Sequence, residues 1–450
     1  MTTAVEKMQS TLDAIALHNP QVNAVISLAT PSDLMKQAEF ADQLPQDKRG
    51  PLHGEPIAIK DLANVAGFET SKGSPIFKNN RAQSDDIMVA RMRAAGAIII
   101  GKTNTPEFGL GSHTFNPVHG ATANAYDHTR SAGGSSGGAA VALATGMIRF
   151  ADGSDMMGSL RNPAGWNNVY GMRPTWGLVP SEPLGDSFLH QLATNGPMAR
   201  SPKDLATLLG VQAGLDPRQP HGLPKADYAD QMDAYSLRGA KIAWLGDWGL
   251  PFDDGIMDIS ERAVDDLRAL GADVISIDAP FSMDALWESW TTLRSWMVAG
   301  GACEHYDDLQ TRELLKPAAV WEIERGLALS AREVDQQSAV RSQWFQMAAA
   351  LFKTYDAILM PSAQVWPFPI DWVHPTEIAG VHMDTYHRWM QVVIPAGLIG
   401  LPVVNLPIGF GSAGLPAGLQ LIGRRGQDAK LLGMAQDWYM GTPWKDHALV

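Results

Sequence analysis

The sequence predicts an α/β protein in which a β-sheet is covered by helices on both faces. Short apolar runs typical of buried strands alternate with segments of helical spacing along most of the chain. Of the 450 residues, 45% are apolar and 18% are charged, which suits a large buried core. No internal repeat or low-complexity linker divides the chain. We therefore expect one compact unit, although the length alone favours two or three domains.

The N-terminal part predicts helices followed by two strands. The first 45 residues have helical spacing, and the apolar run PIAIK (56–60) predicts a strand that ends at Lys60. The segment 84–97 predicts a helix that stops at Gly96. A second buried strand is expected at 97–100, because three isoleucines follow one another there.

The stretch 112–165 is rich in Gly, Ser, Asn and Ala and predicts irregular structure, apart from a buried helix at 139–147. Helices and strands then alternate again. Further helices are expected at 203–213, 258–270, about 283–354 and 430–439. Further strands are expected at 241–248, 272–278, 357–363, 401–410 and 418–424.

Residues 96–103, GAIIIGKT, match the P-loop pattern G-x-x-x-x-G-K-[ST]. A P-loop needs a strand before its first glycine, then a flexible loop that wraps phosphates, then a helix. Here a predicted helix precedes the glycine, a buried strand occupies the loop positions, and Pro106 lies where the helix would run. The match therefore does not predict a nucleotide site.

Charge and cysteine content narrow the class of protein further. The net charge is −13 without a run of basic residues, so a nucleic-acid partner is not expected. The N-terminus lacks a basic segment and a continuous apolar stretch, so no signal peptide is expected. Prolines and glycines interrupt the most apolar segment, 394–410, so no membrane span is expected. The single cysteine, Cys303, rules out an internal disulfide and favours the cytoplasm.

Two loops combine glycine with serine. The first, GGSSGG (133–138), cannot be an ordinary helix or strand and leads into the buried helix at 139–147. It is either a flexible surface linker or an anchored functional loop. In the second, GSDMMGS (153–159), successive backbone N–H groups could converge on an oxyanion, as acyl transfer requires, with the last serine as nucleophile.

A serine nucleophile needs a base, and the residues themselves leave two arrangements open. Gly133, Ser135 and Gly137 satisfy the nucleophile-elbow pattern G-x-S-x-G. The residues before them are polar, however, and do not form the hydrophobic strand that such an elbow requires. Lys60 at its strand end is the other base, although a lysine there is more often a solvated or salt-bridged surface group.

Six motifs occur together in a characteristic order. They are HGEPIAIKD, AGAIIIGKTNTPEFGLGS, GGSSGGAAVA, GSDMMGSLRNPA, YGMRPTWGLVPS and the C-terminal IPAGLIGLPVVNLPIGF. Their order and spacing resemble the amidase signature family. The resemblance implies a single large mixed β-sheet covered by helices on both faces, in one domain of residues 1–450. It implies a catalytic core at about 50–210, a variable, substrate-shaping helical region at about 215–355 and a closing core segment at about 356–450.

The resemblance also implies a triad of Lys60, Ser135 and Ser159. Ser159 would attack an amide carbonyl, Ser135 would relay the proton between Ser159 and Lys60, and water would hydrolyse the acyl-enzyme. The peptide bond before Ser135 would be cis. Lys60 would have to be neutral, so burial would have to lower its pKa. No metal or other cofactor is implied, and none of the twelve histidines has metal-ligand spacing.

The same resemblance assigns the oxyanion hole to the backbone N–H groups of Met156, Met157, Gly158 and Ser159. Most members have a second glycine where Met157 stands. If that position requires a positive φ, Met157 carries a strain of about 1 kcal/mol or more. Three residues are expected to support the two loops: Gly134, Asp155 and Arg161.

The substrate pocket is expected from about 215–355 and 365–395. Eight of the fourteen tryptophans fall between residues 287 and 389. Most of them are expected in the core. Two or three, together with Met156 and Met157, are expected to form an apolar wall for a bulky or aromatic group.

The expected function is therefore hydrolysis of an amide-type C–N bond in a small hydrophobic or aromatic amide, or in a carbamate. We expect a cytoplasmic monomer or homodimer without membrane or nucleic-acid partners. Two alternatives stay open: the amidase-like subunit of a tRNA-dependent amidotransferase, and an α/β-hydrolase-like serine esterase that uses Ser135. A non-catalytic relative is a third, against which the intact Lys60, Ser135 and Ser159 argue.

Overall fold

The computed structural model describes residues 2–189 and 191–449. Its helices are α1 (Ala4–Val22), α2 (Pro31–Gln43), α3 (Ile87–Ala94), α4 (Gly137–Ala144), α5 (Asn162–Trp166), α6 (Pro202–Gln212), α7 (Tyr228–Gln231), α8 (Ile256–Ala269), α9 (Met283–Asp307), α10 (Leu309–Arg312), α11 (Pro317–Ala328), α12 (Ala331–Leu351), α13 (Ile394–Leu398) and α14 (Asp428–Gly441). Its strands are β1 (Val25–Ile26), β2 (Pro56–Lys60), β3 (Ile98–Thr103), β4 (Phe115–Asn116), β5 (Gly120–Ala121), β6 (Phe150–Asp155), β7 (Tyr170–Arg173), β8 (Thr194–Ala199), β9 (Lys241–Trp244), β10 (Asp273–Ser276), β11 (Ala357–Pro361), β12 (Glu377–Ile378), β13 (Val381–His382), β14 (Val403–Phe410) and β15 (Pro416–Gly423). None of the described helices is both long enough and apolar enough to cross a membrane.

An eight-stranded sheet forms the centre of the molecule, in the order β10-β9-β11-β15-β14-β7-β8-β6. β9 pairs in parallel with β10 and β11, and the other neighbours are antiparallel, so the sheet is mixed. Successive residues of a strand point to opposite faces. In β11, Leu359 packs into a cluster with α6, α8 and α14, whereas Ile358 and Met360 pack into one with α9 and α12. Helices therefore cover both faces, which confirms the predicted α/β architecture.

A second, three-stranded sheet in the order β1-β3-β2 carries Lys60. β2 is parallel to β3 and is buried along its whole length, because PIAIK is apolar up to its last residue. β2 packs beside β6, the edge strand of the large sheet. The N–H of Lys60 donates to Oδ1 of Asp152 in β6 at 2.9 Å. This hydrogen bond fixes Lys60 relative to the large sheet.

Three strands of the large sheet, β6, β7 and β8, were not predicted from the sequence, and the region 283–354 is not one continuous helix. The stretch 112–165 contains β6 in addition to the expected helix, because FADGSD has no alternation of apolar and polar residues and so gives no strand signal. The region 283–354 is divided into α9, α10, α11 and α12. The side chains of Asp308 and Ser330 accept N–H groups at the starts of α10 and α12, and Pro317 opens α11. These residues interrupt what otherwise reads as one helical stretch.

Candidate active site

The amino group of Lys60 is surrounded by serine hydroxyls. Its Nζ lies 2.7 Å from Oγ of Ser135, 2.9 Å from Oγ of Ser136 and 3.0 Å from Oγ of Ser154. Lys60 is only 1% exposed, so it is not a solvated surface lysine. The structure thus brings Lys60 and Ser135 into direct contact. Ser136 and Ser154 were not identified from the sequence; Ser154 belongs to β6, and the strand itself was missed.

The first glycine-serine loop runs into α4, whose first two residues are Gly137 and Gly138, and it is buried, so it is not a surface linker. The peptide bond between Gly134 and Ser135 is cis. The hydroxyl of Ser112 donates to the carbonyl oxygen of Gly134. At Gly137 a Cβ atom would lie 2.4 Å from Oγ1 of Thr114, so the close approach of these two segments requires glycine. Close packing on both sides therefore holds Ser135 in place.

The second loop is built around the carboxylate of Asp155 at the end of β6. This carboxylate accepts the N–H groups of Gly158 and Leu160, each at 3.0 Å. Arg161 donates to it through Nε at 3.0 Å and Nη2 at 2.8 Å, and Arg173 through Nη1 at 3.2 Å. Burial alone would raise the pKa of Asp155, but the two guanidinium groups hold that pKa well below its ordinary value. Asp155 therefore stays ionised and keeps the loop in shape.

The positive φ in this loop occurs at Gly158, at 81°, and not at Met157. The strain that we considered for Met157 is therefore absent, and the Met157 side chain packs into the core at 4% exposure. The N–H of Gly158 is bound to Asp155. Among the described residues, no acceptor is found for the N–H groups of Met156, Met157 and Ser159. Three of the four N–H groups expected at the oxyanion hole are thus available.

Ser159 lies in the turn between β6 and α5 and is 6% exposed. Within the described part of the chain, no hydrogen bond joins Ser135 to Ser159; the hydroxyl of Ser135 contacts Lys60. The two glycine-serine loops meet at Gly153, where a Cβ atom would lie 2.7 Å from Oγ of Ser136 and 2.6 Å from Cδ2 of Leu160. Glycine at this position therefore allows the two loops to pack against each other.

Burial controls the protonation of Lys60. It lowers the pKa of Lys60 to about 7, although the charges of Asp152 and Asp155 act in the opposite direction. Burial also raises the pKa of Asp152 to about 6, against the effect of the Lys60 N–H and of the charge on Lys102. A substantial fraction of Lys60 is therefore neutral at pH 7 and able to accept a proton.

A cavity of about 540 Å³ is connected to the two loops by hydrogen bonds of its wall residues. Its wall includes Ser112, which holds the carbonyl of Gly134, and Tyr386. Tyr386 is linked through Arg294 to the side chain of Met156 in the second loop. Of the described residues, those that line the cavity do not include the three triad residues themselves. Ser112 therefore connects the cavity to the first loop, and Tyr386 connects it through Arg294 to the second.

Two of the tryptophans expected at the pocket, Trp321 and Trp389, line this cavity. Trp389 is only 1% exposed, and Trp290 and Trp344, which are equally buried, belong to the same core cluster without lining the cavity. Neither Met156 nor Met157 lies in the cavity wall, as far as the described residues go. Of the described residues that were expected in the apolar wall, only Trp321 and Trp389 are found there. The rest of the apolar surface comes from four residues that were not predicted: Leu110, Phe115, Leu314 and Val373.

Comparisons with known proteins identify the family of the chain. The sequence model of the Amidase family matches residues 6–432. An acylamidase of Rhodococcus erythropolis is 30% identical over 460 residues, which cover 98% of this chain and 92% of that protein. A glutamyl-tRNA(Gln) amidotransferase subunit of Methylobacillus flagellatus is 32% identical, with 98% of this chain and 94% of that protein covered.

Solved structures show the same fold. A bacterial aryl acylamidase of the amidase signature family matches with a TM-score of 0.91 at 26% identity, covering 99% of this chain and 94% of the other. A 6-aminohexanoate cyclic dimer hydrolase matches with a TM-score of 0.86 at 26% identity, covering 99% and 95%. The agreement extends over nearly the whole chain in both sequence and fold. This chain therefore belongs to the amidase signature family and is a hydrolase of amide C–N bonds.

Proposed function

We propose that this chain hydrolyses hydrophobic or aromatic amides through an acyl-enzyme on Ser159, with Ser135 as proton relay and Lys60 as base. The observation that carries the proposal is the 2.7 Å contact between Nζ of Lys60 and Oγ of Ser135 in a buried site. A lysine with a pKa of about 7 is an effective base at neutral pH, whereas an ordinary lysine is almost fully protonated there.

The proton movements follow from this arrangement. Oγ of Ser159 attacks the amide carbonyl carbon and passes its proton to Oγ of Ser135, whose own proton moves to Nζ of Lys60. The C–N bond then breaks, and the proton returns through Ser135 to the leaving amine. Water attacks the acyl-enzyme by the same route, which releases a carboxylic acid and restores Ser159.

We assign stabilisation of the oxyanion to the N–H groups of Met156, Met157 and Ser159. This is one donor fewer than the sequence implied, because the N–H of Gly158 is bound to Asp155 and supports the loop instead. Removing one donor from an oxyanion hole typically costs about 10²–10³ in kcat, so the placement of each N–H matters. Gly134, Asp155 and Arg161 act in this proposal by holding the loops.

The character of the cavity supports a bulky substrate. Trp321 and Trp389 give it an aromatic wall, and a volume of about 540 Å³ is large enough for an aryl or long acyl group. The names of two similar proteins, an acylamidase and an aryl acylamidase, favour the same substrate class. Carbamates present the same carbonyl carbon bonded to nitrogen and are expected to react by the same route.

A fluorophosphonate probe tests the proposal, read out by intact mass and peptide mapping, together with a panel of acyl anilides. We expect one adduct on Ser159, none in Ser159→Ala, and labelling slowed at least about 100-fold in Lys60→Met. Ser342→Ala, which removes a hydroxyl from the surface of α12, is the matched control and should label like the wild type. An adduct on Ser135 would overturn the assigned roles and favour the esterase alternative.

The second candidate function is that of the amidase-like component of a glutamyl-tRNA(Gln) amidotransferase. A relative from Cyanothece that is named as a subunit of that enzyme is 34% identical and covers 99% of this chain. Ammonia release from glutamine by the purified chain separates the two functions. Glutamine turnover more efficient than anilide turnover would favour the amidotransferase component.

A further inference from the structure

Strand β6 contacts Lys60 at both ends of the lysine. Oδ1 of Asp152 accepts the backbone N–H of Lys60 at 2.9 Å, and Oγ of Ser154 lies 3.0 Å from its Nζ. Residues two apart in a strand point to the same side, so a single face of β6 holds the backbone and the amino group together. Asp152 is 1% exposed, and a buried carboxylate interacts with a neighbouring amine more strongly than one in water.

We infer that Asp152 and Ser154 are positioning residues for the amide hydrolysis proposed above. Ser154 fixes the amino group of Lys60 beside Ser135, and Asp152 sets the pH range in which Lys60 is neutral. This inference rests on the proposed function, because it requires Lys60 to be the base. Neither residue touches the reacting atoms, so each acts through Lys60.

The charged groups around this pair come from three strands. From β6, Asp152 and Asp155 both favour the protonated form of Lys60. From β3, the charge of Lys102 acts on Asp152, and Nζ of Lys102 lies 3.6 Å from Oδ1 of Asp61, which follows β2. Asp155 is already paired with two guanidinium groups. Of the two carboxylates in β6, Asp152 is therefore the one whose removal changes the electric field at the amino group of Lys60 most.

The substitution Asp152→Asn isolates the charge. It retains a side-chain oxygen that can accept the N–H of Lys60 and removes only the negative charge. The protonated form of Lys60 is then less favourable, so its pKa falls further below the ordinary value. A reaction that needs neutral Lys60 is lost as the pH falls through that pKa. The acidic limb of the pH profile should therefore move to lower pH by about one unit. A nearby opposite charge typically shifts a pKa by about one to three units, and we expect the lower end of that range here.

The experiment measures the rate of fluorophosphonate labelling and of acyl anilide hydrolysis between pH 5 and 9. In Asp152→Asn the pH of half-maximal rate should fall by about one unit. In Ser154→Ala the maximal rate should fall about tenfold, because a misplaced base transfers protons poorly, with a much smaller change in half-maximal pH. Asp152→Ser also keeps an acceptor oxygen without the charge; it is the second variant and should shift like Asp152→Asn.

Asp428→Asn is the matched control. Asp428 is a 2% exposed carboxylate at the start of α14 that accepts the N–H of Thr175 at 2.8 Å, and it is not among the charges that act on Lys60. The pH of half-maximal rate should be the same in this variant as in the wild type. A shift in Asp428→Asn equal to that in Asp152→Asn would mean that any lost buried carboxylate moves the profile, which would overturn the specific role of Asp152.

The outcomes separate the inference from the proposed function. An unchanged half-maximal pH in both Asp152 variants would overturn the role of Asp152, and an unchanged maximal rate in Ser154→Ala would overturn that of Ser154. Absence of an adduct on Ser159 in the wild type would overturn the proposed function and, with it, the assignment of both residues to this base.

Discussion

Nη1 of Arg294 lies 3.1 Å from Sδ of Met156, so helix α9 contacts the loop that ends in Ser159. The same guanidinium donates to Glu322 in α11 at 2.6 Å and to the hydroxyl of Tyr386 at 2.7 Å. Tyr386 also lines the cavity. One buried charged group therefore joins the cavity wall to the second glycine-serine loop. Helix α9 thus supports that loop, and Trp321 of α11 lines the cavity.

Replacing Arg294 with methionine should destabilise the protein and lower its activity. Glu322 would remain as a buried carboxylate without its guanidinium partner, which typically costs about 3–5 kcal/mol of unfolding free energy. Met156 would lose its contact with α9, so kcat for acyl anilides should fall more than KM changes. Urea unfolding and steady-state kinetics measure the two effects.

Arg218→Met is the control for the loss of an arginine. Arg218 is 54% exposed and pairs with Asp216 at 3.0 Å, so its removal should change the unfolding free energy far less than the loss of Arg294 and leave kcat unaltered. If the two variants behaved alike, the buried network would have no special role in holding the loop.

Replacing Lys60 with methionine should separate activity from stability. We expect kcat/KM for acyl anilides to fall by about 10²–10⁴ at pH 8, because the general base is lost. Burial disfavours the charged form of Lys60, so an apolar side chain of similar length should raise the thermal midpoint at pH 6, where more of the wild-type lysine is protonated. The acidic limb near pH 7 should also disappear from the residual rate.

Lys430→Met tests whether any lysine gives this result. Lys430 forms an ion pair with Asp356 at 2.6 Å on a partly exposed surface. Its loss should leave kcat/KM and the pH profile unchanged. A Lys60→Met variant that retained wild-type labelling of Ser159 would contradict the role of Lys60 as base.

The fold was predictable where apolar runs carry a clear pattern. The strands β2, β11 and β14 and the helix α14 each follow from a run of apolar residues bounded by Gly, Pro or charged residues. β6 was missed because most of its side chains are Ala, Asp, Gly and Ser, which resemble a loop, although five of its six residues are buried. Tertiary packing, and not the local pattern, makes that segment a strand.

The candidate site, too, could be predicted only in part from the sequence, because some of its contacts depend on tertiary packing. Lys60, Ser135 and Ser159 could be located because each stands in a recognisable motif. The contacts of Asp152 and Ser154 with Lys60 depend on the packing of β2 against β6, two segments about 90 residues apart in sequence. No local signal in either segment encodes that contact. Similarly, the sequence could not show which loop residue has a positive φ.

Gly153→Ala should disturb the contact between the two serine loops. The added Cβ atom would lie 2.7 Å from Oγ of Ser136 and 2.6 Å from Cδ2 of Leu160, both shorter than van der Waals contact. Overpacking of this kind typically costs about 1–3 kcal/mol, so the urea midpoint should fall. Because Ser136 also contacts Lys60, labelling of Ser159 should become slower as well.

Gly210→Ala adds the same methyl group as Gly153→Ala but should stabilise the protein. Gly210 lies within α6, and a Cβ atom there would have no heavy atom within 4 Å. Helix propensity then predicts a gain of about 0.5–1 kcal/mol without any change in labelling. Equal effects of the two substitutions would show that the close approach at Gly153 is unimportant.

Trp321→Ala should weaken the binding of aromatic substrates specifically. Trp321 lines the cavity, and its ring lies edge-on to Tyr386 with centroids 6.2 Å apart. Loss of the ring should raise KM for aryl amides about tenfold, which is equivalent to about 1.4 kcal/mol of apolar contact. Hydrolysis of acetamide should change little, because so small a substrate does not reach the wall.

Trp372→Ala is the control, since Trp372 is 49% exposed and lies outside the cavity wall. Steady-state kinetics on a series of amides of increasing size measures the difference. A uniform loss for acetamide and aryl amides would mean that Trp321 supports the fold and does not select the substrate.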